Sequence, residues 1–503
     1  MRLRARVAVA LACVCLLSLP ILASGGKATV ATASLQVALA DILFDHADYR
    51  AAMRVYLAAA ECDDAAVRER ARAGTVRSAL RIAEWGIAIT QVPGAEGRRG
   101  ADPATLALAG DALWGVGRFE ESEAAYRNTL RLDPANPRGR LGVAKALASR
   151  NQLEPALDEA LTALGAAPAD PEVRQVIGSI YERMHRYDEA ASAYLSYLAL
   201  VGRSGRPDIV QWARTHVAFL RVFEGTIPYE IEPARKVTRH VFDFKLVDGK
   251  IVIRGRINGG RTVDLAVDTG SEHTAISEKT ASRFGVSPVT ETLAAGVGEV
   301  GLRGQRLARL RSLELGTLTI YNLPCLVRTP AIEGLMVDSV DAFSPLALGL
   351  SMSVDYRARR LTLGELAPDR APARELPLRL NRLATVEGQV NGSPTSFIVD
   401  TGGDGILVST STARALLAPA ERSRIKLRVF GASGFDPDAY LLPGLDLSFG
   451  PLRLPNQSVV VLDLRAPSVL LGYEIGGVIG YRLLGRYRVD FDLGRSVLRL
   501  GDL

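Results

Sequence analysis

Leu265-Ala266-Val267-Asp268-Thr269-Gly270 and Phe397-Ile398-Val399-Asp400-Thr401-Gly402 decide the reading of this chain. Each is a short apolar run of the kind that forms a buried strand, and each ends in Asp-Thr-Gly, a tripeptide suited to a tight turn carrying an acid. Working outward, the same elements flank both. Ile257-Asn258-Gly259 leads into the first and Val390-Asn391-Gly392 into the second, and Asn-Gly between apolar runs is a hairpin signal. Helix-like segments follow, Glu278 to Phe284 and Ser411 to Leu417. Next come glycine-rich stretches, Gly296 to Gly304 and Gly431-Ala432-Ser433-Gly434, and then Leu313-Glu314-Leu315-Gly316 and Leu447-Ser448-Phe449-Gly450. Each half closes on an apolar-apolar-Gly element, Leu348-Gly349 matched to Ile479-Gly480, and two further strands. The common order identifies a duplicated β domain.

That duplication, with two Asp-Thr-Gly motifs at equivalent points, resembles the retropepsin-like and pepsin-like aspartic peptidases from about His240 to the end of the chain. The resemblance implies that Asp268 and Asp400 are the catalytic carboxylates of a peptide hydrolase needing neither metal nor cofactor. It also implies that Gly270 and Gly402 form the tight turns and that Thr269 and Thr401 cross-link the two loops through buried hydroxyls. Two carboxylates within hydrogen-bond reach cannot both ionise cheaply, so one holds a proton while the other activates water. Ser271 follows the first motif and is expected to donate to Asp268, whereas Gly403 in the second half cannot; Asp404 is expected to repel Asp400. On these grounds Asp268 is the charged partner and Asp400 carries the proton, and Gly403→Ser would lower the acidic limb of the rate profile. Gly431 to Gly434 reads either as a flap over an extended peptide or as a plain surface turn.

Upstream the chain is Ala-rich and helical in period. Asp102-Pro103, Asn136-Pro137 and Asp170-Pro171 recur at intervals of 34 residues, as do Phe119, Leu153 and Tyr187, and Gly110, Ala144 and Gly178. This spacing resembles the tetratricopeptide repeat (TPR), whose helical hairpins bury their apolar faces only by stacking. An irregular helical bundle is the alternative. A repeat array offers a concave face for a peptide or partner helix, or serves as a spacer that binds nothing.

The fold expected is therefore multidomain: an all-α, TPR-like repeat array, then a mostly-β, bilobal acid-protease-like domain of two retropepsin-like halves. The boundaries expected are 1–24 for a signal peptide, 30–225 for the repeats, 226–239 for a linker, 240–366 for the first half, 367–376 for a second linker and 377–503 for the second half.

Arg2, Arg4 and Arg6 before the apolar run Val7 to Leu22, then small residues, read as a secretory signal, with an uncleaved N-terminal tether as the alternative. The chain is expected to be exported, periplasmic or secreted. Its 61 basic residues face 55 acidic ones without a dense basic block, which argues against a nucleic-acid partner. Cys62 and Cys325 fall in different regions and are expected to be buried thiols rather than a disulfide. The five histidines lack metal-ligand spacing. The expected function is an exported aspartic endopeptidase that acts on a protein or peptide substrate, with the repeats docking substrate or partner. The competing expectation is a catalytically silent binding or assembly protein of the envelope; a third places one site between two chains.

Overall fold

A computed structural model describes residues 29–92, 102–202, 207–232, 238–295, 302–328, 341–366, 373–416, 425–431 and 434–503. The expected signal peptide lies outside the described residues. No described helix is long and apolar enough to cross a membrane. Residues up to Thr75 form one compact unit, and Val76 to Leu503 form another.

In the first unit, helices Val30–Asp45 and Tyr49–Ala59 pair as a hairpin closed over Tyr56, which is fully buried and donates its hydroxyl to Asp41.

The second unit opens with the helical hairpins that the 34-residue spacing predicts. Helices Pro103–Gly115, Pro137–Ser149 and Pro171–Arg183 begin at the three prolines, and Phe119–Leu132, Leu153–Ala166 and Tyr187–Val201 at the three apolar positions. Proline suits the first helical turn, where its missing N–H costs nothing. The residue before each proline caps the helix: Asp102, Asn136 and Asp170 accept from backbone amides at 2.9–3.1 Å. Gly110 lies against the ring of Tyr126, where a Cβ would come within 2.5 Å of a ring carbon.

Both Asn-Gly turns form, with Asn258, Gly259, Asn391 and Gly392 all at positive φ. In the first half, strand Thr262–Val267 carries the motif at its end and runs parallel to Asp341–Phe343. In the second, Ser393–Val399 runs parallel to Gly477–Ile479. The match of Leu348-Gly349 to Ile479-Gly480 is therefore displaced. The strand beside the first motif is Asp341–Phe343, whereas Leu348 ends a 3-10 turn with Gly349 left-handed behind it. Backbone pairing, not the apolar-apolar-Gly text, fixes the equivalence of Phe343 with Ile479.

The halves also share a run of six strands at one end of a 13-stranded sheet, Ala373–Asn381, Val497–Asp502, Tyr487–Asp492, Met352–Asp355, Arg360–Gly364 and Arg239–Asp243, three strands from each. The centre of the run is the antiparallel pair Met352–Asp355 with Tyr487–Asp492, in which Val354 faces Val489. Residues expected to be connecting chain add a strand as well: Glu230–Ile231 pairs with Tyr321 and Ile320 on the edge of the first half.

The repeats pack directly on the β halves. Trp114 and Phe119 join Ile398, Leu464, Tyr473 and Val478 in one apolar cluster, and Tyr194 and Phe219 join the core of the first half. Arg379 is 1% exposed and bonds Glu120 at 2.7 Å, Glu123 at 2.8 Å and Ser149 Oγ at 3.2 Å. Burial alone would raise Glu123, but hydrogen bonds from Arg379 and Arg127 overcome it and hold the carboxyl down at about 2.

Candidate active site

Each Asp-Thr-Gly loop leaves its strand at the point where the parallel neighbour ends, and the acid's backbone amide is tied there: Asp268 N donates to Phe343 O at 2.9 Å, and Asp400 N to Ile479 O at 3.0 Å. The chain then turns tightly. Gly270 N donates to Asp268 Oδ1 at 2.9 Å and Gly402 N to Asp400 Oδ1 at 2.8 Å.

The threonines bind the loops reciprocally. Thr269 Oγ1 donates to Val399 O at 2.7 Å and accepts from Thr401 N at 3.0 Å; Thr401 Oγ1 donates to Val267 O at 2.8 Å and accepts from Thr269 N at 3.2 Å. Both side chains are 1% exposed, so all four bonds are made away from water. Lost bonds there would leave buried carbonyl and amide groups unsatisfied.

This grip sets each acid against the other's loop: the Asp400 carboxyl lies against Gly270 and the Asp268 carboxyl against Gly402. Burial first, and then the charge of Asp268, raise Asp400 to about 7. Raised in this way, Asp400 favours its protonated form beside Asp268.

Residues 253–352 and 386–483 both match the aspartyl protease family model. Residues 113–180 match a tetratricopeptide repeat model. Among curated proteins, a TPR repeat-containing thioredoxin, TTL4 of Arabidopsis thaliana, is 31% identical over 90 residues, and the match spans 18% of this chain and 13% of that protein's length. Two solved TPR structures are similar to the repeats alone. TTC0263, a thermophilic TPR protein of Thermus thermophilus, has a TM-score of 0.32 at 18% identity, over 38% of this chain and 99% of that one. YrrB, titled a TPR protein with an unusual peptide-binding site, has a TM-score of 0.23 at 15% identity, over 33% of this chain and 84% of its own. The chain thus carries an N-terminal TPR region followed by two aspartyl protease-like halves.

Three expectations about the surroundings of the two acids change. Ser271 does not donate to Asp268: its hydroxyl turns away to His273 O at 2.9 Å. Asp404 does not press on Asp400; it points outward to Arg482 Nε at 3.1 Å. Gly403 has no room for serine, because a Cβ would lie 2.9 Å from Asp400 Oδ2. Of the flap stretch, Gly431 and Gly434 pair in a small hairpin, and Ala432 and Ser433 lie outside the described residues.

Two basic residues beside the carboxyl pair were not expected from the sequence. Arg328 Nη2 stands 3.9 Å from Asp268 Oδ2. Arg382, from the second half, grips Glu272 of the first with two bonds of 2.6 and 2.7 Å, four residues beyond Asp268. Burial would raise Glu272, but the Arg382 charge lowers it to about 2. Beyond that pair, helices of the repeats contribute His216, bonded to Glu182 at 2.9 Å, while Tyr229 reaches His273 Nδ1 at 3.5 Å. Burial lowers the His273 pKa. Nothing in the spacing of these residues along the chain marks them as neighbours.

Proposed function

We propose that this protein is an exported aspartic endopeptidase in which Asp268 and Asp400 hydrolyse peptide bonds as a pair. The observation that carries the reading is the buried Thr269–Thr401 grip on the two loops, with Asp400 raised by burial and by the charge of Asp268. In the first step, ionised Asp268 takes a proton from a water between the carboxyls as its oxygen attacks the scissile carbon. Asp400 gives its proton to the carbonyl oxygen. The resulting diol then collapses: the C–N bond breaks, the proton on Asp268 passes to the leaving nitrogen, and a diol hydroxyl returns one to Asp400. One water is consumed, and the pair regains its starting state.

The repeats support protein–protein contact, and part of their surface is already spent on the β halves through Arg379 and the Trp114 cluster. Substrate or partner docking falls to the surface left over. Location outside the cytoplasm rests on residues 2–26, and fractionation of cells making a reporter fused behind them tests it.

The central test incubates the purified full chain with a mixed peptide library from about pH 3 to 8, beside Asp268→Asn. Cleavage by the parent that the variant lacks supports the peptidase. No cleavage by the parent at any pH overturns it in favour of a binding or assembly protein.

A further inference from the structure

Arg328 ends the strand Leu318–Arg328, which runs parallel to Thr274–Ser277 and sets Arg328 opposite Ser277. This places the guanidinium 3.9 Å from the Asp268 oxygen that the Gly270 amide does not use. Among the described residues no other carboxylate lies within ion-pair distance of Arg328. The side chains of Arg328 and Asp268 are 30% and 20% exposed, so the pair is in reach of solvent and not sealed in the core.

The duplication supplies an internal control. Ser277 and Ser409 stand at the same distance beyond their motif acids. The strand neighbour of Ser409 is Leu462, an apolar side chain 1% exposed. One acid therefore has a cation beside it, and the equivalent neighbour of the other has none.

We propose that Arg328 is a positioning residue that polarises the carboxylate pair, fixing the negative charge on Asp268 and the shared proton on Asp400. The proposal rests on the peptidase reading above. The difference that the sequence suggested, Ser271 against Gly403, does not serve, because the Ser271 hydroxyl is engaged elsewhere. Other charged groups around the pair are committed. Asp341 accepts from Ser277 N and Thr280, Asp404 is held by Arg482 and Glu272 by Arg382. On the far side Asp400 faces Tyr356, whose ionisation is suppressed by burial and then by Asp400 and Tyr481. A cation at this distance favours the charged form of a carboxyl, and the partial exposure of the pair weakens that pull.

The test compares the full-length parent with Arg328→Gln and Arg328→Lys, by the pH dependence of kcat/KM on a library peptide and by carboxyl NMR titration with carbon-labelled aspartate. Arg328→Gln is expected to move the acidic limb up by about one pH unit and to lower kcat about tenfold, with Arg328→Lys restoring most of the limb. The NMR step of the pair should move with it. Unmoved limb and titration in a folded Arg328→Gln protein overturn the proposal. So does a change confined to KM on peptides with an acidic residue, which would make Arg328 a substrate anchor. If the parent cleaves nothing, the peptidase reading fails, while the NMR titration still decides whether Arg328 polarises the pair.

Discussion

The carboxyl of Asp400 occupies the space into which a side chain on Gly270 would project: a Cβ there would lie 2.4 Å from Asp400 Cγ. The reverse contact, Gly402 against Asp268, is looser at 2.8 Å. Each motif is thus shaped by the acid of the other. Gly270→Ala should abolish peptide cleavage, by about a hundredfold or more on the scale of misplaced catalytic groups, and Gly402→Ala should be milder. Peptide kinetics beside circular dichroism will separate a displaced acid from a lost fold.

Asp400 links the site to stability. Its folded pKa, about 7, lies above the ordinary aspartate value of 3.8. Between these values the folded state holds a proton that the unfolded chain has released, so stability falls as pH rises from about 4 to 7. Asp400→Asn cannot ionise. Its melting temperature should exceed the parent's at pH 8, by the equivalent of a few kcal/mol, and the gap should close near pH 4. Melts across that range will test this, and a constant gap would contradict it.

Replacing Thr269 with valine keeps the shape and removes the hydroxyl that serves Val399 O and Thr401 N. Two buried polar groups are left unpaired, at about 1–3 kcal/mol each. Thr269→Val and Thr401→Val should each lower the unfolding free energy by that order, and because the four bonds are distinct but form one interlocked network, the double variant should depart measurably from the sum.

Arg379 joins the repeats to the second half through Glu120 and Glu123. Breaking a buried ionic cluster on one side costs about 3–5 kcal/mol. Arg379→Ala should lower the melting temperature and split one transition into two, visible by calorimetry. Acid should weaken the same joint: Glu123, depressed to about 2 from 4.5, contributes stability above pH 4.5 that is lost as pH falls toward 2.

The two aspartyl protease-like halves were legible because duplication wrote each element twice, and Asn258-Gly259 and Asn391-Gly392 turn as their identities require. The helices were legible because Asp102, Asn136 and Asp170 cap where proline starts a turn. What could not be read is long-range. Arg379 sits between Leu378 and Leu380 on a strand, a position that reads as facing water until the repeats cover it. Arg328 ends its strand like any solvated residue, and only the parallel pairing with Ser277 brings it to Asp268. The displaced match at Leu348 failed because the first-half counterpart, Asp341-Ala342-Phe343-Ser344, lacks the glycine that marks Ile479-Gly480.

The sheet of three strands from each half has a genetic consequence. Two identical subunits meeting on such a sheet must accept every substitution twice, once on each side of the axis. Joined in tandem, the halves are released from that constraint, so a cation could settle beside one acid and leucine at the matching place, and each half could meet the repeats through different residues.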